Sequence, residues 1–386
     1  MIYLDHAATA PLRKEALHAM LPFLTENYGN PSAVYAAGRR ARQAVSQARR
    51  EIAETIGCLP EEIYFTSGGT EADNWALLAA AEAARQSGGM PFLLSTAIEH
   101  HAVLETLRCG GETGCLSYTL LPVSEDGMLM LSALEETLQQ KPALVSCMGA
   151  NNETGTLQPL GAVLRLCREQ GVPVHSDLVQ VYGQLPLFRI AGDTLPDLFS
   201  VSAHKFGGPK GVGFLYIRRG LSLGALLHGG AQERGRRAGT ENVAGIVGMA
   251  AAAKAAFAAM EESAGKKRAL SELFWQLLKS ELPAVCQNGS ETERLPGHLN
   301  LYFPGISAEL LLILLDQADI AASAGAACTS GALEPSHVLL AMGRSDEEAR
   351  SSLRFSFGAE NTEEEVREAA HIVIDRVKDL QEEQDV

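Results

Sequence analysis

Ile63-Tyr-Phe-Thr-Ser-Gly-Gly-Thr-Glu-Ala-Asp-Asn74 passes from a short β-prone run through two glycines and a hydroxyl into an Ala- and Leu-rich stretch. The apolar run suits a strand, and the glycines let the chain turn sharply into a helix. Unpaired backbone N–H groups at such a helix start, together with its positive end, can meet an oxyanion at Gly69, and Thr70 adds a hydroxyl. An ordinary helix cap is the plainer reading of Gly-Gly-Thr-Glu taken alone. No Walker lysine follows the glycines, so a nucleoside triphosphate is not favoured.

Outward from this unit the pattern repeats. Phe92–Ser95 leads to Glu99-His100-His101 at a helix start, and Leu144–Met148 leads through Asn151-Asn-Glu-Thr-Gly155 to a helix near 160–170. Val172–His175 ends in Ser176-Asp177-Leu178-Val179-Gln180, and Leu198–Val201 ends in Ser202-Ala-His-Lys205-Phe-Gly-Gly, followed by a strand over 213–218. Strand alternating with helix predicts an α/β fold with a mostly parallel, doubly wound sheet. Upstream, 12–26 is amphipathic, Tyr28-Gly-Asn-Pro-Ser32 is a loop and 35–56 is a long helix; downstream, an Ala-rich helical stretch runs to about Lys279. Beyond about residue 260 strands and helices no longer alternate simply, which predicts a smaller α+β unit. We therefore expect a large domain over 12–258 and a small one made of 1–11 plus 259–386, with no internal repeat.

Composition narrows the function. A chain of 386 residues with 46% hydrophobic and 20% charged residues reads as a globular protein. A net charge of −15 argues against direct nucleic-acid binding, so any anion site must be local. Without a run of 18 apolar residues or a signal-like start, no membrane is expected and a cytoplasmic location is. Seven cysteines without a C-x-x-C pair suggest reduced thiols and no metal site.

Several side chains stand where the predicted strands end. Lys205, among apolar neighbours, can lose its proton near neutral pH and form a Schiff base with a carbonyl cofactor, although a surface lysine in a turn would read the same way locally. Asp177 with Gln180 three residues later could hold a heterocycle, or Asp177 could simply cap a turn. His100 matters if a cofactor ring lies nearby, whereas His101 reads as a capping imidazole. Gly229 to Asn242 offers arginines and Thr240 to an anion, or is a solvated basic loop. Tiny residues surround Cys328 in the 321–335 segment, which predicts an exposed, mobile thiol poised to react. Arg354, inside a strand pattern, needs a partner, either a substrate carboxylate or a neighbouring Glu in a structural ion pair.

In one order, the motifs Tyr3-Leu-Asp-His-Ala-Ala-Thr9, Gly29-Asn-Pro-Ser32, Phe65–Asn74, Glu99-His100, Asn151–Gly155, Asp177-x-x-Gln180, Ser202-x-His-Lys205, Arg237-x-Gly-Thr-Glu-Asn242, Cys328 and Arg354-Phe-Ser closely resemble the pyridoxal-phosphate-dependent cysteine desulfurases of the nitrogen-fixation and iron–sulfur-cluster-assembly type. These belong to the class V branch of aminotransferase-like enzymes, and the resemblance covers nearly the whole chain. It implies the fold type I architecture of pyridoxal-phosphate transferases.

By the same resemblance Lys205 holds pyridoxal phosphate and later shuttles protons, Asp177 pairs with the ring nitrogen, Gln180 reaches the ring oxygen, and His100 stacks on the ring and moves protons. Gly69, Thr70, Ser202 and His204 surround the phosphate, with Thr240 supplied by the second subunit of a homodimer. Asn152 and Arg354 bind the carboxylate of L-cysteine. Cys328 takes the sulfur as a persulfide, alanine leaves, and a sulfur-acceptor protein follows, such as an iron–sulfur scaffold or a protein of tRNA thiolation. A selenocysteine lyase or another β-eliminating lyase is the alternative within the cofactor class, and an impaired sulfur carrier or assembly partner outside it. Two residues depart from the family pattern. His6 stands in place of the usual Asn, where it would affect local hydrogen bonding near the site, and Leu178 in place of a small residue expected against the ring, where it would shift the ring or slow turnover. The short C-terminus also leaves the docking tail of some relatives short or missing.

Overall fold

A computed structural model describes residues 1–324 and 334–384. In chain order the strands are β1 (Ile2–Tyr3), β2 (Ile63–Thr66), β3 (Phe92–Thr96), β4 (Ser117–Leu121), β5 (Leu144–Ser146), β6 (Val174–Asp177), β7 (Leu198–Ser202), β8 (Gly213–Ile217), β9 (Cys286–Asn288), β10 (His298–Tyr302), β11 (Ile320–Ala321) and β12 (Ser352–Ser356). Seven form the main sheet in the order β2-β8-β7-β6-β5-β3-β4. Only β8 runs against the others, pairing antiparallel with both β2 and β7, while the remaining neighbours are parallel.

Side chains alternate across a pleated strand, so consecutive apolar residues must find two cores. They do: Leu94, Val145, Phe199 and Phe214 enter one buried cluster, and their neighbours Leu93, Leu144, Leu198 and Leu215 enter another on the opposite face. Helices cover both faces, Gly69–Gln86 on the second and Ala36–Ile56 with Val243–Ala258 on the first. This explains the near-continuous hydrophobic strands seen in the sequence.

A further core gathers Leu270, Phe274, Leu299, Phe355, Val366 and Val373 with Ile2 and Leu4 from the N-terminus. Its sheet is antiparallel, β12-β10-β9, and β1 pairs in parallel with β11. The Ala-rich stretch is not one helix, because it serves two cores. Val243–Ala258 packs on the helices Lys14–Thr25 and Ala36–Ile56, Met260–Glu281 packs on the last helix Glu363–Gln384, and the two meet at 72°. Among the described residues no single helix is long and apolar enough to cross a membrane. The strand expected over 172–175 is shifted to Val174–Asp177, which puts Asp177 itself at the strand end.

Candidate active site

Ligands of α/β sheets collect at the carboxyl ends of parallel strands, and here those ends converge on one cavity of about 330 Å³. The turn after β2 contributes Gly69 and Thr70, the turn after β3 His100, and the loop after β5 Met148 and Asn152. The end of β6 contributes Asp177, Val179 and Gln180, and the end of β7 Ser202, His204 and Lys205. Asp5, Ser323 and Arg354 close the opposite side.

Lys205 ends the short turn Ala203–Lys205 that follows β7. Its Nζ donates to the carbonyl oxygens of Ala7 at 2.6 Å and Ala8 at 2.9 Å. Burial, and then the nearby Arg354 cation, lowers its pKa to about 8, so a free amine is present at mildly alkaline pH. Gln180 Nε2 donates to the same Ala7 oxygen at 3.0 Å. Asp177 is buried, which raises its pKa, and His100 and Lys205 oppose that rise; its Oδ1 accepts from the Val179 N–H at 2.8 Å.

His100 caps the helix His101–Glu112, its Nδ1 accepting from the Ala102 N–H at 3.1 Å. The neutral ring therefore carries its proton on Nε2, and burial favours that neutral form. His101, exposed, packs its ring at 4.7 Å from that of His337. His204 is also pushed down, to about 4, by burial and by Lys205, and its Nδ1 meets Thr9 Oγ1 at 3.2 Å. It is neutral at pH 7 and able to donate to an anion.

Arg354 is buried on β12. Its Nη2 donates to Asp5 Oδ1 at 2.7 Å and its Nη1 to the backbone oxygen of Asn152 at 2.9 Å, while Nε has no partner. The ion-pair partner is thus Asp5, distant in sequence, and not a neighbouring Glu, and Asn152 touches Arg354 through its carbonyl. Asp5, Asp73, Val179 and Ser323 were not singled out by sequence reasoning. Asp5 was legible only as a letter in the Tyr3–Thr9 motif, and Ser323 only as one small residue among many.

Two expectations change. Leu178 does not face the cavity: its side chain is 1% exposed in the core, so close to Gly149 that a Cβ there would lie 2.5 Å from Leu178 Cδ2. The residue on the cavity wall is Val179, whose Cγ2 would lie 2.7 Å from a Cβ on Gly69. Glycine at 69 is thus required to bring the helix start against the wall. Leu178→Ala is accordingly expected to cost about 2 to 5 kcal/mol in stability, read by denaturant melts, without raising turnover. A gain in turnover in that variant would return Leu178 to the site. His6 lines a smaller cavity of about 50 Å³ on the other side of Lys205, with Arg13, Gln184, Lys267 and Glu360. There Lys267 Nζ donates to Gln184 Oε1 at 2.5 Å, and Gln184 Nε2 donates to the Lys205 carbonyl at 3.0 Å.

Thr240 is exposed and does not line the cavity of this single chain. Its loop is tied down nearby: Arg237 pairs with Glu71, one residue past Thr70, at 2.8 Å, and Arg49 pairs with the buried Glu233 at 2.5 Å. Cys328 lies outside the described residues.

A lysine, a buried carboxylate, an imidazole and the helix start at Gly69 thus line one cavity. The chain belongs to the class-V aminotransferase family, whose profile matches residues 2–368. It is 44% identical to the cysteine desulfurase IscS of Methanosarcina thermophila, over 98% of this chain and 92% of that protein. It is 42% identical to an IscS-like cysteine desulfurase of Mycobacterium tuberculosis strain H37Rv, over 97% of this chain and 95% of that protein. Among solved structures, a NifS-like protein superposes with a TM-score of 0.90 at 36% identity, covering 98% of this chain and 99% of the other. SspA in complex with cysteine superposes with a TM-score of 0.80 at 31% identity, covering 94% and 100%.

Proposed function

We propose that this chain is a pyridoxal-phosphate-dependent cysteine desulfurase, which converts L-cysteine to L-alanine and passes the sulfur to Cys328. The observation that carries the reading is the convergence of Lys205, Asp177, His100, Thr70 and Arg354 on one cavity. The similarity to cysteine desulfurases along the whole chain supports it.

The residues present fit the cofactor. The Gly69 helix start, Thr70, Ser202 and neutral His204 form a donor set for a phosphate, and Asp177 offers a buried carboxylate to a ring nitrogen. When bound, pyridoxal phosphate supplies an electron-withdrawing ring that accepts charge from the substrate's breaking bonds. Lys205 would offer its amine to the cofactor carbonyl and would move protons at the substrate. Gln180, whose Nε2 donates to the Ala7 carbonyl, would also donate to the ring oxygen. His100 would stand beside the ring, where its Nε2–H would exchange protons. Arg354, with the unpartnered Nε, orients the substrate carboxylate together with Asn152, and Asp5 keeps the guanidinium in place. Thr240 belongs to the phosphate site of the other subunit in a homodimer. We read 12–258 as the large domain and 1–11 with 259–386 as the small one that carries Cys328, and a sulfur-acceptor protein as the partner that unloads it.

The test is incubation of the pure protein with pyridoxal phosphate and L-cysteine. Alanine and sulfide in equal amounts, with a reducing thiol present, are expected; a protein that stays colourless and releases neither would overturn the proposal. The free amine of Lys205 must do the capturing, so cofactor uptake by the apoprotein rises with pH. It increases about tenfold per unit below pH 8 and levels off above, where the proton is already lost. Stopped-flow absorbance across that range checks it, and a rate flat from pH 6 to 9 would remove Lys205 from the step.

A further inference from the structure

Asp73 is a buried acid that the proposed chemistry does not use. It lies in the first turns of the helix Gly69–Gln86, is 1% exposed, and lines the same cavity as Asp177. Its Oδ1 is buried without a hydrogen-bond partner. His175 Nε2 stands 3.5 Å from Oδ1, and Ser200 beside the carboxyl group only partly offsets the rise that burial imposes on it. The chain continues inward: His175 Nε2 meets Ser200 Oγ at 3.0 Å, and His175 Nδ1 meets Ser146 Oγ at 2.8 Å. All of these side chains are fully buried.

Two carboxylates on one desolvated wall repel, and each needs a cation to stay charged. The candidates around Asp73 are few. His175, from β6, is held neutral by burial, with its pKa lowered to about 3. Glu99, beyond the end of β3, is itself an acid pushed up to about 8 by burial. Asp177 adds a like charge that raises Asp73 further above burial alone, and Lys205 and His100 act on Asp177. A ring nitrogen in the cavity would bring one positive charge, enough for one carboxylate.

We propose that Asp73 is a positioning residue of the ring-nitrogen site: it holds a proton within the Ser200–His175–Ser146 chain, so that Asp177 alone carries the negative charge facing the ring. This rests on the reading of the cavity as a pyridoxal-phosphate site. A neutral acid there donates as well as accepts, and it fixes the helix start against the wall without competing with Asp177 for the ring's charge.

Infrared difference spectra of the apoprotein at neutral pH, wild type minus Asp73→Asn, test the proton directly. The carbonyl stretch of a protonated, desolvated carboxyl group is expected in the wild type and absent in the variant; no difference there, with an ionised-carboxylate band lost instead, would overturn the proposal. In the loaded protein, Asp73→Leu, which lacks the polar contacts, is expected to weaken retention of pyridoxal phosphate roughly tenfold, and Asp73→Asn to recover most of that loss. Titration of the visible band toward alkaline pH should show a transition in the wild type that Asp73→Asn lacks. Asn as damaging as Leu would mean that the site needs an ionised carboxylate, and the proposal falls. Failure of the wild type to take up pyridoxal phosphate would remove the cofactor reading, while the infrared result still decides where the proton on Asp73 is.

Discussion

Lys205→Ala is expected to leave a folded protein that no longer turns yellow with pyridoxal phosphate and releases alanine from cysteine at least about 10³-fold more slowly. The reason is chemical and local. Among the described residues Lys205 is the one lysine on the wall of the larger cavity, and burial has already brought its amine to a pKa of about 8. Removing it deletes two hydrogen bonds to the carbonyl oxygens of Ala7 and Ala8, which water entering the cavity can replace. Folding should therefore survive, with a melting temperature close to that of the unchanged protein. The informative failure would be a variant that keeps a tenth of the activity or more. It would move the nucleophile elsewhere, and Lys267, whose pKa is also lowered to about 8 and which lines the smaller cavity behind Lys205, would be first in line.

Cys328→Ser is expected to separate cofactor binding from sulfur transfer. Absorbance with pyridoxal phosphate and the change on adding cysteine should match the unchanged protein, while sulfide release falls on the order of 10³-fold, because a hydroxyl is a far poorer acceptor of sulfur than a thiolate. Mass spectrometry of the unchanged protein after cysteine should find one additional sulfur on the peptide that contains Cys328. The other thiols sort by burial. Cys147, Cys167 and Cys58 are pushed up by burial, the last two to about 12, and are poor nucleophiles; Cys109, Cys115 and Cys286 are exposed. Sulfur found on one of these exposed thiols, with full activity retained in Cys328→Ser, would overturn the assignment of Cys328.

Much of this was legible in the sequence, for physical reasons. Buried parallel strands announce themselves as short apolar runs, and glycines and hydroxyls mark the turns at their carboxyl ends, which is where Thr70, His100, Asp177 and Lys205 stand. What was hidden depended on side-chain direction and on contacts between distant segments. Leu178 and Val179 are adjacent and both apolar, and only the turn after β6 decides that the first enters the core and the second faces the cavity. Asp73 sits in a helical pattern where an acid reads as solvent-facing, yet its helix is covered by the sheet. The pairing of Arg354 with Asp5 spans 349 residues, and no local pattern encodes it. The bend at Ala259 was hidden for another reason: alanine suits the interior of either helix, and the turn is imposed by the two cores that the helices join.

The N-terminal segment carries an implication for the order in which the molecule can be built. β1 finds its partner at Ile320–Ala321, and the His6 and Ala7 N–H groups are held by Ser356. The pairing of β1 therefore cannot be completed until the segments around Ile320 and Ser356 have been made, although the carbonyl oxygens that hold the Lys205 amine belong to the same stretch. Contacts of such sequence separation form late and slowly. The seven strands of the large sheet all precede residue 218, so that sheet can form before the cavity wall made by Asp5, Ser323 and Arg354 is in place.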